Sequence, residues 1–271
     1  MIGPTLPFVQ VDAFTTEAFS GNSAAVFLLE GLLAEASMAV LAREMNLSES
    51  AFVGPPDADG FRSLRWFTPS TEVSLCGHAT LASAHVLREA GVEPPYRFDS
   101  ASGALGVHPE PDGSLYLDFP SDHPEPHAPP PGLLPSLGCD QAVVTEVGDR
   151  VWIVQVETEQ QVRGLRPDYG LLRDVSLGPG RLGVTVTAPD AKGNGFVSRF
   201  FAPWVGIDED PVTGVAHTAL GPFWSSRLGH AEMAARQLSR RGGELRVRVN
   251  GDRVHLAGHC VTVAEGRVRI P

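Results

Sequence analysis

Two stretches of this chain, about 135 residues apart, read alike, and this repeat limits the folds open to the chain. Residues 64–84 are LRWFTPSTEVSLCGHATLASA, and residues 199–220 are RFFAPWVGIDEDPVTGVAHTAL. Each stretch has an arginine, two aromatic residues and a proline, then an acidic loop and a glycine followed by small residues and a histidine. Repetition of this kind predicts a duplicated protein with two similar halves related by pseudo-twofold symmetry.

Both halves show the same order of predicted elements: strands, a helix, an arginine–aromatic strand ending at proline, a loop, and a glycine that opens a second helix. In the first half, residues 32–46 have helical spacing with Asn46 as a C-terminal cap. The helix that begins at Gly77 is apolar almost all round, which is typical of a buried helix. In the second half, Pro222 predicts a kink or an end in the equivalent helix.

The boundary between the halves is expected in the stretch 120–135, which has too many prolines for regular structure and is typical of a linker. We therefore predict domains at 1–122 and 123–271, and leave open that the last strand returns to the first domain.

Charge excludes several classes of partner. The chain has 21 basic and 32 acidic residues, for a net charge of −11. An acidic surface repels polyanions, so we expect neither nucleic acid nor an anionic membrane as a partner. A small anionic substrate stays possible, because backbone amides can make a pocket locally positive.

The three cysteines are odd in number, far apart and without Cys-x-x-Cys spacing. This pattern argues against a disulfide framework or a structural zinc site and favours the reducing cytoplasm. No stretch has the 18 apolar residues of a membrane span, and the first residues lack the pattern of a signal peptide.

Two helices that begin at Gly77 and Gly214 provide backbone N–H groups and helix dipoles that can bind a carboxylate or a developing enolate. Side chains able to carry protons lie near these helices in the sequence: Glu49, His78, Asp208, Glu209 and Asp210. Each also has an ordinary structural interpretation. Asp210 is a possible turn or N-cap residue, His78 a possible core histidine, and Glu49 a possible edge residue of a strand.

Other chemistries are poorly supported by the sequence. It contains no Gly-x-Ser-x-Gly, P-loop or Gly-x-Gly-x-x-Gly motif. His255, His259 and Cys260 are expected on a strand and a turn, where this spacing does not align zinc ligands, so we predict no metal site.

Five segments together resemble the phenazine biosynthesis PhzF-like family: VDAFTTEAFSGNSAAVF, LAREMNLSESAFV, FTPSTEVSLCGHATLASAHVL, DEDPVTGVAHTALGPFWSSRLG and SRRGGEL. They occur in family order across nearly the whole chain. The resemblance implies an α+β fold of the diaminopimelate epimerase-like kind. It has two similar domains, each an antiparallel sheet rolled around a central helix, with the active site in the cleft between them.

The resemblance also implies a homodimeric, cofactor-free isomerase that moves a proton on a substrate such as trans-2,3-dihydro-3-hydroxyanthranilate. Glu49, His78 and Asp210 match the family's catalytic residues: Glu49 is the glutamate that moves the proton, and His78 and Asp210 hydrogen-bond the substrate. The substrate-binding positions implied by the resemblance are Gly77, Gly214, Asn22, Ser23 and Val215.

Two positions depart from related patterns. Val215 lies where the family commonly has serine, so a hydroxyl that can contact substrate is missing. Cys76 matches one of two catalytic cysteines of the epimerase relative, but no cysteine lies near Gly214; a two-thiol racemase is therefore disfavoured, and Cys76 is expected to be a small buried residue. The alternative to an isomerase is a non-catalytic binding protein that keeps the scaffold.

Overall fold

The computed structural model describes residues 4–270, which divide into two units. The first unit comprises residues 4–118 together with 257–270, and the second comprises residues 119–256. The division falls after Asp118 rather than after residue 122, and the end of the chain belongs to the first unit. The reason is that the last strand pairs antiparallel with the first strand along its whole length.

The first unit contains nine strands and two helices among its described residues. In chain order they are β1 (Thr5–Ala13), β2 (Asn22–Leu28), α1 (Glu35–Met45), β3 (Glu49–Pro56), β4 (Arg62–Phe67), β5 (Glu72–Val73), α2 (Gly77–Glu89), β6 (Tyr96–Ser100), β7 (Gly103–Pro109), β8 (Leu115–Pro120) and β18 (Cys260–Arg269).

These strands pair in the order β18–β1–β2–β3–β4–β6–β7–β8, with β5 beside β4. Most neighbours are antiparallel, but β2–β3 and β4–β6 are parallel. The sheet, expected to be antiparallel, is thus mostly antiparallel with two parallel pairs. Parallel neighbours need a crossover connection, and α1 and α2 provide the two crossovers.

The helix α2 lies at the centre of the first unit. It contacts β1, β2, β3, β7 and β18, so the sheet wraps around it. Every residue from His78 to Leu87 is buried, as its apolar circumference predicts. Helix α1 ends where the sequence predicts, because Asn46 adopts the left-handed conformation and its N–H bonds to the Ala42 carbonyl.

The second unit repeats this arrangement with additional short helices. Its elements are β9 (Glu125–Pro126), α3 (Leu133–Leu137), β10 (Val144–Val147), β11 (Val151–Gln155), α4 (Glu159–Gly164), α5 (Tyr169–Asp174), β12 (Gly183–Pro189), β13 (Gly195–Ala202), β14 (Ile207–Asp210), α6 (Gly214–Leu228), β15 (Glu232–Gln237), β16 (Gly243–Asn250) and β17 (Arg253–Gly258).

Strands of the second unit pair in the order β9–β10–β11–β12–β13–β15–β16, with β14 beside β13. The parallel pairs are β11–β12 and β13–β15, at the same places in the order as in the first unit. Helix α6 contacts β11, β13, β15 and β16 and takes the place of α2. The duplication predicted from the repeated motif is therefore present in the strand order of both units.

Two local expectations need correction. The proline-rich stretch 120–135 contains β9, which pairs with β10, and the start of α3, so it is not wholly irregular. Of the kink or end predicted at Pro222, the end is wrong, because helix α6 continues through this residue. The proline removes the helical hydrogen bond to the Thr218 carbonyl, and this carbonyl accepts one from the Asp122 N–H at 3.1 Å instead.

No helix among residues 4–270 combines the length and apolar character needed to cross a bilayer.

Candidate active site

Glu49 is placed by the register of the first sheet. It is the first residue of β3 and lies opposite Ala24 in the parallel pair β2–β3. The chain enters β3 three residues after Asn46, the cap of α1. Glu49 is 9% exposed, which makes it a buried carboxyl group of the kind that often takes part in proton transfer.

His78 lies beside this carboxyl group. It is the second residue of α2, and its Nε2 is 3.2 Å from Oε2 of Glu49. Burial lowers the pKa of His78 to about 3, and a hydrogen bond to the Ser23 backbone only partly opposes this effect. The imidazole is therefore neutral at neutral pH, and its contact with Glu49 is not an ion pair.

Cys76 completes this group of side chains. It is the N-cap residue of α2, it is buried, and its Sγ lies 3.5 Å from Nδ1 of His78. The sequence prediction of a small buried residue is correct about its burial but misses this contact. We call Glu49, Cys76 and His78 the Glu–Cys–His cluster.

Asn22 and Ser23, at the start of β2, are both buried. The Ser23 hydroxyl donates to Oδ1 of Asp12, and Oδ2 of Asp12 accepts from the Phe19 N–H at 2.7 Å. Asp12, only 1% exposed, thus ties the turn between β1 and β2 to Ser23, whose backbone bonds to His78.

Asp210 lies in the second unit, in a hydrogen-bond network with Thr213 and Gln237. It is the last residue of β14, and its Oδ2 accepts from the Thr213 hydroxyl at 2.5 Å. The Gln237 side chain donates to the Asp210 carbonyl at 2.7 Å and accepts from the Thr213 N–H at 3.0 Å. Asp210, Thr213 and Gln237 are all buried. Their hydrogen bonds hold both ends of residues 210–213, which we call the Asp210 loop, before α6 begins.

His217 supports the same loop from inside α6. Its Nδ1 lies 2.8 Å from the Thr213 carbonyl, and its ring stacks on Phe196. The residue is fully buried, and burial lowers its pKa to about 4. A neutral imidazole here can donate to the carbonyl and hold the start of the helix without adding charge.

Gly77 and Gly214 are the first residues of α2 and α6, as the sequence predicts. The first N–H groups of a helix have no partner within the helix and can bind an anion. Val215, next to Gly214, is half-buried, so an apolar side chain lies at the start of α6.

Two of the acidic candidates belong to ion pairs instead of the site. Asp208 lies 2.6 Å from the Arg173 guanidinium in an exposed pair. Glu209 forms a bidentate pair with Arg199, at 2.7 and 2.9 Å. Neighbouring residues on a strand point to opposite faces, which separates Glu209 from Asp210.

The structure thus brings Glu49 and His78 together with Ser23 in the first unit, and leaves Asp210 and Gly214 in the second. Sequence reasoning missed the supporting residues Asp12, Thr213, Gln237 and His217. One signal was available for Thr213, since it sits at the N-cap position of a predicted helix. Nothing local marks Gln237, which reaches the loop from a distant strand.

Comparison with known proteins defines the class. The solved structure of a PhzF family phenazine biosynthesis protein from Enterococcus faecalis superimposes with a TM-score of 0.91 at 40% identity, covering 98% of this chain and 99% of that one. A hydroxyproline epimerase from Agrobacterium vitis shares the fold with a TM-score of 0.63 at 13% identity, covering 99% and 92%. The fold is therefore the duplicated α+β fold of the PhzF family structure, and the epimerase has the same fold.

The family follows from the sequence matches. The model of the phenazine biosynthesis-like PhzC-PhzF family matches residues 11–266, and this chain belongs to that family. It is 49% identical over 267 residues to a Pseudomonas aeruginosa protein named as an uncharacterized isomerase, covering 98% of this chain and 99% of that one.

Proposed function

We propose that this protein is an isomerase that moves a proton between carbon atoms of a small carboxylate, with Glu49 as the acid and base. The observation that carries the proposal is the buried contact of 3.2 Å between Glu49 and the neutral His78. The isomerase name of the Pseudomonas aeruginosa relative supports the same class of reaction.

Glu49 can take a proton from one carbon and return it to another, because a carboxyl group carries one proton at a time and can reach two adjacent atoms. His78 has one ring nitrogen that donates and one that accepts a hydrogen bond when it is neutral. It can therefore orient Glu49 or a polar group of the substrate without competing for the transferred proton.

The negative charge of the substrate needs hydrogen-bond donors, and the chain can supply them from its own backbone. The proposed steps use no metal or coenzyme. The first N–H groups of α2, at Gly77 and beyond, can bind the substrate carboxylate or stabilise an enolate. Asp210, Gly214 and the half-buried Val215 are assigned to substrate contacts in the second unit. Val215 favours an apolar substrate edge over the hydroxyl contact that serine would make.

The proposed substrate class is that of trans-2,3-dihydro-3-hydroxyanthranilate: a carboxylate with an amino or hydroxyl group and an activated C–H bond. The homodimer, the cytoplasmic location and the substrate cleft expected from the sequence stay predictions.

Proton exchange tests this function directly. The protein is incubated in deuterated water with a panel of small amino and hydroxy carboxylates, and deuterium incorporation at carbon is followed by NMR. Glu49→Gln should abolish exchange while keeping the thermal unfolding temperature. Glu44→Gln is the matched control, because Glu44 is exposed on α1. Full exchange by Glu49→Gln would overturn the role of Glu49, and ligand binding without exchange in the unaltered protein would favour a non-catalytic binding protein.

A further inference from the structure

The Glu–Cys–His cluster has a composition that acid–base catalysis by Glu49 does not require. One ligand atom from each of its three side chains lies within 4.8 Å of the other two. Among residues 4–270 this is the sole group of three or more histidine, cysteine, aspartate or glutamate side chains that meets this condition. The histidine, cysteine and glutamate therefore meet at one point inside the first unit.

The ligand atoms of the cluster lie somewhat further apart than those around a small tetrahedral ion. Zinc binds sulfur at about 2.3 Å and nitrogen or oxygen at about 2.0–2.2 Å, so two of its ligand atoms lie roughly 3.3–3.6 Å apart. In the cluster, Sγ of Cys76 is 3.5 Å from Nδ1 of His78, and Nε2 of His78 is 3.2 Å from Oε2 of Glu49. These two contacts involve different ring nitrogens of His78, so Cys76 and Glu49 must turn toward the same nitrogen to share one ion. One ligand atom of each residue already lies within 4.8 Å of the other two.

The surroundings hold these ligands in place. Cys76 and His78 are fixed by the first turn of α2, and Glu49 by its pairing with β2. The Ser23 backbone holds the His78 ring, and a hydrogen bond to the imidazole is the usual support of a metal-binding histidine. All three ligands are buried.

Charge is the main argument against a cation here, because the positive end of the α2 dipole lies at Cys76. A thiolate and a carboxylate bring two negative charges, which balance a divalent ion and leave the complex neutral.

We propose that Glu49, Cys76 and His78 form a binding site for a thiophilic divalent cation of the zinc class, with its fourth position open. A bound ion would occupy Glu49 and His78 together and would stop proton transfer. This consequence for turnover rests on the proposed function, but binding of the ion does not.

Cobalt gives a direct test, since a cysteine thiolate bound to Co²⁺ produces a charge-transfer absorption band in the near ultraviolet. The full chain, reduced and freed of metal with a chelator, is titrated with Co²⁺ and then with Zn²⁺ as a competitor. We expect one equivalent of Co²⁺ to bind with the thiolate band, and Zn²⁺ to displace it. Cys76→Ser should abolish the band and weaken Zn²⁺ binding at least tenfold.

Cys139→Ser and Cys260→Ser are the matched controls. Burial raises the pKa of Cys139, and it raises that of Cys260 to about 12, so neither thiol readily forms a thiolate. Both controls should keep the band. Glu49→Gln changes only one ligand atom and should keep the band but weaken Zn²⁺ binding. Because this variant keeps Cys76, its weaker binding would support the site even if Cys76→Ser misfolds.

A missing band in the unaltered protein, or a band that survives in Cys76→Ser or disappears in a control, would overturn the metal site. Because the cobalt spectrum needs no substrate, these results do not depend on the exchange assay. Proton exchange without metal binding would support the isomerase and overturn the cation site. Metal binding without proton exchange would support the cation site and overturn the isomerase.

Discussion

The two units keep the same frame and differ in their reactive side chains. Arg65 on β4 forms a bidentate ion pair with Glu72 on β5, and Arg199 on β13 forms one with Glu209 on β14. Each arginine also lies over the phenylalanine two residues further along its strand. The arginine of the repeated motif therefore has a structural role, and it is the same in both copies.

Strand register shows where the copies diverge. Phe67 pairs with Ser50 and Phe201 with Val184, so the position of Glu49 corresponds to Gly183 in the second unit. His78 and Val215 each follow the glycine that opens a central helix. Duplication thus supplied two scaffolds, and the proposed acid–base pair is present in only one of them.

The reverse holds for Asp210. Trp66 pairs with Val73 in the first unit, and Phe200 pairs with Asp210 in the second, so Asp210 takes the position of Val73. Each copy has therefore kept polar chemistry at a position where the other is apolar or glycine. The arginine–glutamate ion pair does not involve these side chains, so each unit can vary them without losing the pair.

The largest effect that we predict concerns Gly183, where the second copy cannot accept a side chain. A Cβ there would lie 2.4 Å from the Phe201 carbonyl oxygen and 2.7 Å from the Phe200 ring. Gly183→Ala should lower the free energy of unfolding by roughly 3–4 kcal/mol, measured by chemical denaturation. In Gly164→Ala the new methyl group meets nothing within 4 Å, so a change within about 1 kcal/mol is expected. Equal effects of the two substitutions would contradict the conclusion that the second unit has no room for a side chain at Gly183.

The two arginine pairs should differ in strength because their burial differs. The side chains of Arg199 and Glu209 are 11% and 17% exposed, against 34% and 33% for Arg65 and Glu72. Arg199→Ala leaves a largely buried carboxylate unpaired and should cost about 3 kcal/mol of unfolding free energy. Arg65→Ala should cost about 1 kcal/mol. The comparison is made by chemical denaturation, and a larger loss for Arg65→Ala would reverse our ranking.

Gln237 tests whether the Asp210 loop needs support from another strand. Gln237→Ala leaves the Thr213 N–H and the Asp210 carbonyl without their present partner and should cost about 2 kcal/mol. Proton exchange should also slow if Asp210 contacts the substrate. Gln141→Ala, at an exposed position, is the matched control for both measurements. Unchanged stability in Gln237→Ala would show that the Asp210 loop does not need the hydrogen bonds from Gln237.

The smallest effect concerns pH. Burial lowers the pKa of His78 to about 3 and of His217 to about 4, from 6.5 in the unfolded chain. The native state resists protonation that the unfolded state accepts, so stability is complete above pH 6.5 and falls as the pH drops below it. Each residue should contribute up to about 1.4 kcal/mol per pH unit between pH 6 and 5.

Chemical denaturation at a series of pH values measures this slope. His217→Gln should make the slope shallower by about 1 kcal/mol per pH unit, whereas His230→Gln, at an exposed position, should leave it unchanged. A slope that His217→Gln does not alter would mean that His217 is not buried in its neutral form.

Some of the site was predictable because it is local in sequence. Glu49 begins a strand directly after a capped helix, and His78 follows the glycine that opens α2; both placements follow from capping and periodicity. Other features were not predictable. Glu209 and Asp210 are adjacent and equally acidic, yet one pairs with Arg199 and the other with Thr213. Strand alternation separates them, but only the fold decides which face carries the arginine.

By itself, the sequence determined the duplication, the place of each central helix and the family, because a repeated motif and its small-residue helices are written in consecutive residues. Tertiary structure alone decided the return of the last strand to the first unit, the reach of Gln237 to Asp210 and the meeting of Cys76 with Glu49. It also decided that His78 is neutral. These features depend on burial and on contacts between residues distant along the chain, and neither leaves a local pattern.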